Sequence, residues 1–209
     1  MVRWGALLAL VVLAGCRDPG REAVSAADEL AVAGRWEEAA GAYLALPEEA
    51  GSWRAYGAWR AAVIYRDSLQ DHVRAEQGFS DCVRAWSEQD WGYACQVELG
   101  DLQRDLGRSR AAVDAYRKAL ELRPRGSYAE HCLLESGRAY LALAEPAQAR
   151  VEWDELRRTF PRSGLLPELE LETARSYDLE GLEEAALEAF RAVRRRWPND
   201  PTAALALFG

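Results

Sequence analysis

The chain has 209 residues, a formal net charge of −8 and 29% charged residues, enough length for a sizeable core in one domain or one continuous array. An acidic balance of this size excludes a protein organised around a nucleic-acid backbone or a polybasic membrane patch. Lys118 is the only lysine, so arginine supplies almost all of the positive charge.

At the N-terminus, Arg3 precedes an apolar run from Ala6 to Ala14 that is too short for a finished transmembrane helix. The segment 1–15 therefore reads as a secretory signal peptide. Its end, Leu13-Ala14-Gly15-Cys16, resembles the bacterial lipobox, in which small residues precede a cysteine that is lipidated and becomes the mature N-terminus. Cys16 is thus expected to be lipidated, with 16–20 as a short tether. Acyl chains contribute roughly 0.8 kcal/mol per buried methylene, so two or three suffice to hold a protein at a membrane surface. That places the chain on a membrane, facing the periplasm. Arg17, where an aspartate would resemble an inner-membrane retention signal, favours the outer membrane.

Beyond the tether, a signature recurs at 36- to 37-residue spacing. Its first copy contains Ala27, Gly34, Ala39 and Tyr43, and its second Trp59, Ala75, Phe79 and Trp86. The third is the clearest, with Gly100, Gly107, Ala112, Tyr116, Ala119 and Pro124. The fourth has Gly137, Ala144, Ala149, Trp153, Leu156 and Pro161, and the fifth Ala174, Gly181, Ala186, Phe190, Val193 and Pro198. A period of this length predicts stacked helix pairs, here near 20–50, 56–89, 93–126, 130–163 and 167–200, filling a domain over 21–209. Gly107 and Gly181 are expected to end first helices, and Pro124, Pro161 and Pro198 to stop second ones. The spacing also predicts that Gly100 meets Ala112 and Gly137 meets Ala149 where paired helices approach, while Tyr116, Trp153 and Phe190 wedge against the next repeat. Pro201 to Phe208 reads as a short capping helix.

This pattern resembles the tetratricopeptide repeat. The resemblance covers nearly all of the mature chain, although Gln96 and Glu170 stand where Trp59 and Leu133 keep the usual bulky apolar residue. It implies an all-α, right-handed superhelical solenoid of about five helix-turn-helix repeats that acts as an adaptor and not as an enzyme. It further implies that the first helix of each pair lines a concave face that holds a peptide or protein segment. The inward positions are then Arg60 and Asp67 in the second repeat, and Val97, Asp101 and Arg104 in the third. In the fourth they are His131, Leu134 and Arg138, and in the fifth Leu171, Arg175 and Asp178. Arg138 and Arg175 occupy one position of consecutive repeats and present guanidinium forks suited to carboxylates, with Val97, Leu134 and Leu171 for apolar groups. The duller reading is that Asp101 and Asp178 neutralise the arginines in a solvated network.

Cys82, Cys95 and Cys132 remain once Cys16 is set aside, and an exported location permits disulfides. Cys82 with Cys95 and Cys95 with Cys132 are competing pairs, beside a reading in which all three are small core residues. No metal or cofactor site is expected. His131 and Cys132 are adjacent on a helix and point about 100 degrees apart, and no phosphate loop or nucleophile elbow occurs. Arg191 and Arg194 to Arg196 sit at a helix C-terminus, where cations are favoured without any ligand. The expected function is a membrane-anchored, periplasm-facing scaffold that binds another envelope protein and no nucleic acid. The alternative is a structural accessory subunit of an outer-membrane assembly, Tol-Pal or secretion complex that orients a catalytic partner.

Overall fold

The computed structural model describes residues 18–206; residues 1–17, with Cys16 and the expected signal peptide, and residues 207–209 lie outside them. The described residues form five antiparallel helix pairs and a cap: α1 Pro19–Val32 with α2 Trp36–Leu44, α3 Trp53–Asp67 with α4 His72–Trp86, α5 Asp90–Asp105 with α6 Ser109–Leu122, α7 Ala129–Ala142 with α8 Pro146–Thr159, α9 Leu166–Leu179 with α10 Glu183–Arg196, and α11 Pro201–Leu205. A short 3-10 turn, Glu48–Ala50, joins the first pair to the second. No helix among the described residues is long and apolar enough to cross a membrane.

Local chemistry sets the ends of the elements. Asp18 caps α1, its carboxylate accepting from the Gly20 and Arg21 amides, with Pro19 in the first turn, where a missing N–H costs nothing. Each first helix then ends on a residue in the left-handed region: Gly34, Gln70, Gly107, Ala144 and Gly181, with φ of 73°, 54°, 70°, 55° and 72°. The turn geometry therefore repeats even where glycine does not. Second helices α6, α8 and α10 end two residues before Pro124, Pro161 and Pro198. At the far end Asp200 accepts from the Thr202 amide and starts α11, and Ala206 is buried with Leu171 and Phe190.

Packing within each pair differs from the simplest expectation. Ala39, Ala75, Ala112, Ala149 and Ala186 are all buried at helix crossings. The glycines of the first helices, however, make room for the aromatic ring of their own repeat. A Cβ on Gly100 would lie 2.5 Å from Tyr116 Cε1, and one on Gly137 only 2.1 Å from Trp153 Nε1. Trp153 is fully buried and donates to the Leu134 carbonyl at 3.2 Å, which satisfies its one polar atom. The two positions that break the repeat pattern are explained the same way. Gln96 is buried and donates to the Ala115 carbonyl at 3.0 Å, and Glu170 accepts from Trp197 Nε1 at 2.8 Å. Apolar residues gather in four clusters along the array, the largest running from Tyr93 in α5 to Leu169 in α9.

Candidate functional site: the concave face

The first helices α3, α5, α7 and α9 carry a ladder of alternating charges from repeat to repeat. Arg66 pairs with Asp67 at 2.6 Å and reaches Glu98 on α5. In the next repeat, Arg104 bridges Asp101 at 3.3 Å, Asp105 at 2.9 Å and Glu135 of α7 at 2.8 Å. Glu135 also accepts from Arg138 at 2.7 Å, and Arg138 crosses to Glu168 and Glu172 of α9. Arg175 closes the ladder with a long 3.5 Å contact to Glu172. Near its start, Arg66, Asp67, Gln70, His72, Glu98 and Arg104 border an open, polar cleft of about 480 Å³.

Burial makes the interior of this ladder costly to disturb. The Glu135 and Glu172 side chains are only 8% and 14% exposed, and each sits between arginines. Losing one arginine would leave a nearly buried carboxylate short of a partner. Asp101 accepts from Tyr116 Oη at 2.7 Å and makes a 2.8 Å contact with His131 Nε2. Burial alone would raise its pKa, but the bonds to His131 and Tyr116 outweigh burial and hold it below the ordinary carboxylate value. The same bond to Asp101 raises the His131 pKa against the opposing effect of burial.

The expected groove residues therefore divide. Asp101, Arg104, His131, Arg138 and Arg175 join the ladder, and Asp67 flanks it through Arg66. Arg60 does not present an open fork, since its guanidinium lies 5.7 Å from the Tyr43 ring centre and 5.9 Å from that of Trp59. Asp178 is exposed and makes no ion pair among the described residues. Val97, Leu134 and Leu171 require correction: at 3%, 4% and 2% exposure they belong to the packed interior and offer no apolar wall. The arginines are corrected too, because Arg138 is already held by three carboxylates. The partners missed from sequence, Glu98, Glu135 and Glu172, recur at 37-residue spacing, a signal present in the chain.

Cys82 and Cys95 are joined in a disulfide with their Cα atoms 6.2 Å apart. Cys95 and Cys132 occupy equivalent places on neighbouring first helices, and packed helices stand about 8–10 Å apart, beyond the reach of a bridge between such positions. Cys132 is a free, buried thiol whose pKa burial pushes up to about 12.

Fold and face together define a helix-pair repeat solenoid whose first helices share one charged face. The fold is that of a tetratricopeptide-repeat solenoid. Residues 93–125 match the family model described as tetratricopeptide repeat. No curated protein matches the chain by sequence. Among solved structures, a tetratricopeptide repeat protein from Parabacteroides merdae superposes with a TM-score of 0.69 at 15% identity, over 87% of this chain and 68% of that one. YrrB, a TPR protein with an unusual peptide-binding site, gives 0.65 at 16% identity over 94% and 96%. The apo form of RapI gives 0.71 at 14% identity over 90% and 57%. At such identities the likeness speaks to the fold alone.

Proposed function

We propose that the protein is a lipid-anchored, periplasm-facing scaffold that holds a segment of another envelope protein against its concave face. The observation that carries the partner-binding part is the charge ladder over four successive first helices, whose exposed members Asp67, Asp105 and Arg175 remain available to a polar or charged segment. The face is polar, so recognition rests on exchange of ion pairs and hydrogen bonds, with apolar burial secondary. Peptide binding by YrrB, a protein of the same fold, is in keeping with this use of the surface. The anchor rests on Leu13-Ala14-Gly15-Cys16, which precedes the first repeat by only a few residues. Such a short tether keeps the array near the membrane, where its partner is an envelope component.

The test reverses exposed charges and spares the buried ladder. Arg138→Glu would set a fourth carboxylate beside Glu135, Glu168 and Glu172, and would unfold the site whether or not a partner exists. Asp67→Lys combined with Asp105→Lys alters only exposed carboxylates and leaves Glu135 and Glu172 between their arginines. Crosslinking in the native membrane should recover a partner with the unaltered protein and lose most of it with the double variant. Equal recovery overturns the concave-face reading, whereas Cys16→Ser tests the anchor separately through membrane fractionation.

A further inference from the structure

At the C-terminal end of the array, Arg191, Arg194 and Arg195 share one face of α10 and, with Pro198, Ala203 and Ala204, line a cleft of about 560 Å³ between α10 and α11. The spacing i, i+3, i+4 puts Arg194 and Arg195 each about one helical turn from Arg191, and like charges so placed are destabilising. None of the three makes an ion pair or hydrogen bond among the described residues. Arg54, Arg125 and Arg162 are exposed and unpaired as single side chains, each in a different part of the chain, whereas on α10 three unpaired arginines fall together. The neighbouring Arg196 is held by Glu170 and lies over the Trp197 ring, and Arg157 and Arg158 pair with Asp154 and Glu155. The carboxylate of Asp200, in the loop before α11, is spent on the Thr202 amide and hydroxyl. A helix C-terminus favours cations and explains the presence of one or two. It does not explain three that converge on a cleft with no counter-charge, in a chain of net charge −8.

The edge on which this cleft lies identifies the anion. In an antiparallel pair, first helices begin where second helices end, so the C-terminal end of α10 shares an edge of the solenoid with the start of α1 at Pro19. Asp18 is fixed to that edge, accepting from Trp53 Nε1 at the start of α3 at 2.8 Å. Cys16 is two residues further along the chain, a reach of at most roughly 7 Å. We infer that the Arg191, Arg194 and Arg195 cleft binds the phosphate of an anionic phospholipid headgroup, docking the distal end of the array on the membrane that holds its N-terminus. Guanidinium forks match phosphate oxygens two at a time, and Pro198, Ala203 and Ala204 provide an apolar flank for the glycerol. The choice of a lipid as the phosphate source rests on the anchored reading; the existence of an anion site does not.

The test uses the lipidated full-chain protein in vesicles of phosphatidylcholine alone and of phosphatidylcholine with phosphatidylglycerol, followed by amide hydrogen exchange. With phosphatidylglycerol, exchange in α10 and α11 should slow severalfold relative to phosphatidylcholine. The triple variant Arg191→Gln, Arg194→Gln and Arg195→Gln should abolish the difference. Each arginine neutralised near an anionic surface costs roughly fivefold in affinity, so the three together cost on the order of 100-fold. The double variant Arg157→Gln and Arg158→Gln, which also removes positive charge from this half of the array, should keep the protection. Loss of protection in that control as large as in the triple variant overturns the cleft assignment in favour of net charge. Identical exchange in both vesicle types overturns it outright. Equal protection by sn-glycerol 3-phosphate without vesicles overturns the lipid source, and protection by a glutamate-rich peptide in its place makes the ligand an acidic protein. Protein that fails to associate with phosphatidylcholine vesicles counts against the anchor alone, because co-flotation with phosphatidylglycerol vesicles still compares the unaltered and triple-variant clefts.

Discussion

Gln70 and Ala144 hold the left-handed conformation that Gly34, Gly107 and Gly181 adopt without a Cβ. A side chain in that region is crowded against its own backbone, at a cost of about 1 kcal/mol or slightly more. Ala144→Gly should therefore raise stability by about 0.5–1 kcal/mol, since relief of that strain exceeds the added freedom of the unfolded chain. Gly107→Ala should lower it by a similar amount, and urea midpoints of the two variants should move in opposite directions. His131 makes the second residue-scale argument. Its pKa is raised in the folded state by the bond to Asp101, so its contribution is complete below its unfolded value near 6.5 and is lost as pH rises through the folded value. Asp101 is shifted downward, and its contribution fades only on strong acidification through its own lowered value. Urea midpoints should accordingly fall as pH rises from about 6.5 through the raised folded value, and His131→Gln should flatten that slope.

At the scale of the element, Cys82 and Cys95 are bridged 13 residues apart across an inter-repeat turn, and the 37-residue period puts Ala119 with Cys132 and Leu156 with Leu169 at the equivalent positions. The last two pairs are fully buried within one cluster. Ala119→Cys should place a thiol against Cys132 in the register that Cys82 and Cys95 already satisfy. Mass measurement after alkylation without reductant should then find no free thiol among these four positions, where the unaltered chain shows one. A bridge closing a loop of this size contributes about 3 kcal/mol. Ion pairs reinforce the same interfaces from outside. Arg117 reaches Glu152 at 2.9 Å and Arg74 reaches Glu37 at 2.7 Å, each tying second helices of consecutive repeats. Exposed pairs such as the latter add little individually.

Across the whole molecule, the repeat was readable because its markers are residues with one strong physical reason each: small residues at crossings, a left-handed turn, a proline stop. Gln70 and Ala144 show the limit of that logic, since the turn persists where its glycine does not. The concave face was half readable. Helical register assigned Asp101, Arg138 and Arg175 to one wall, but it could not separate positions facing solvent from those wedged between helices, so Val97, Leu134 and Leu171 were misplaced. Nor does register report side-chain reach, by which Glu135 and Glu172 capture arginines from neighbouring repeats. The unpartnered arginines of α10 were visible as a charge run, while their lack of partners became apparent only once the helices were stacked.

The junction between the second and third repeats departs from the others. Only Ser87 to Gln89 separate α4 from α5, serine stands where later repeats carry proline, and a Cβ on Gly92 would come within 1.8 Å of the Trp86 carbonyl oxygen. The Cys82–Cys95 bridge spans this short link. A protease cut inside Ser87–Gln89 would therefore separate nothing. The two fragments would migrate as one intact chain until a reductant was added, so the N-terminal repeats would keep hold of the rest of the array through two sulfur atoms after the backbone was gone.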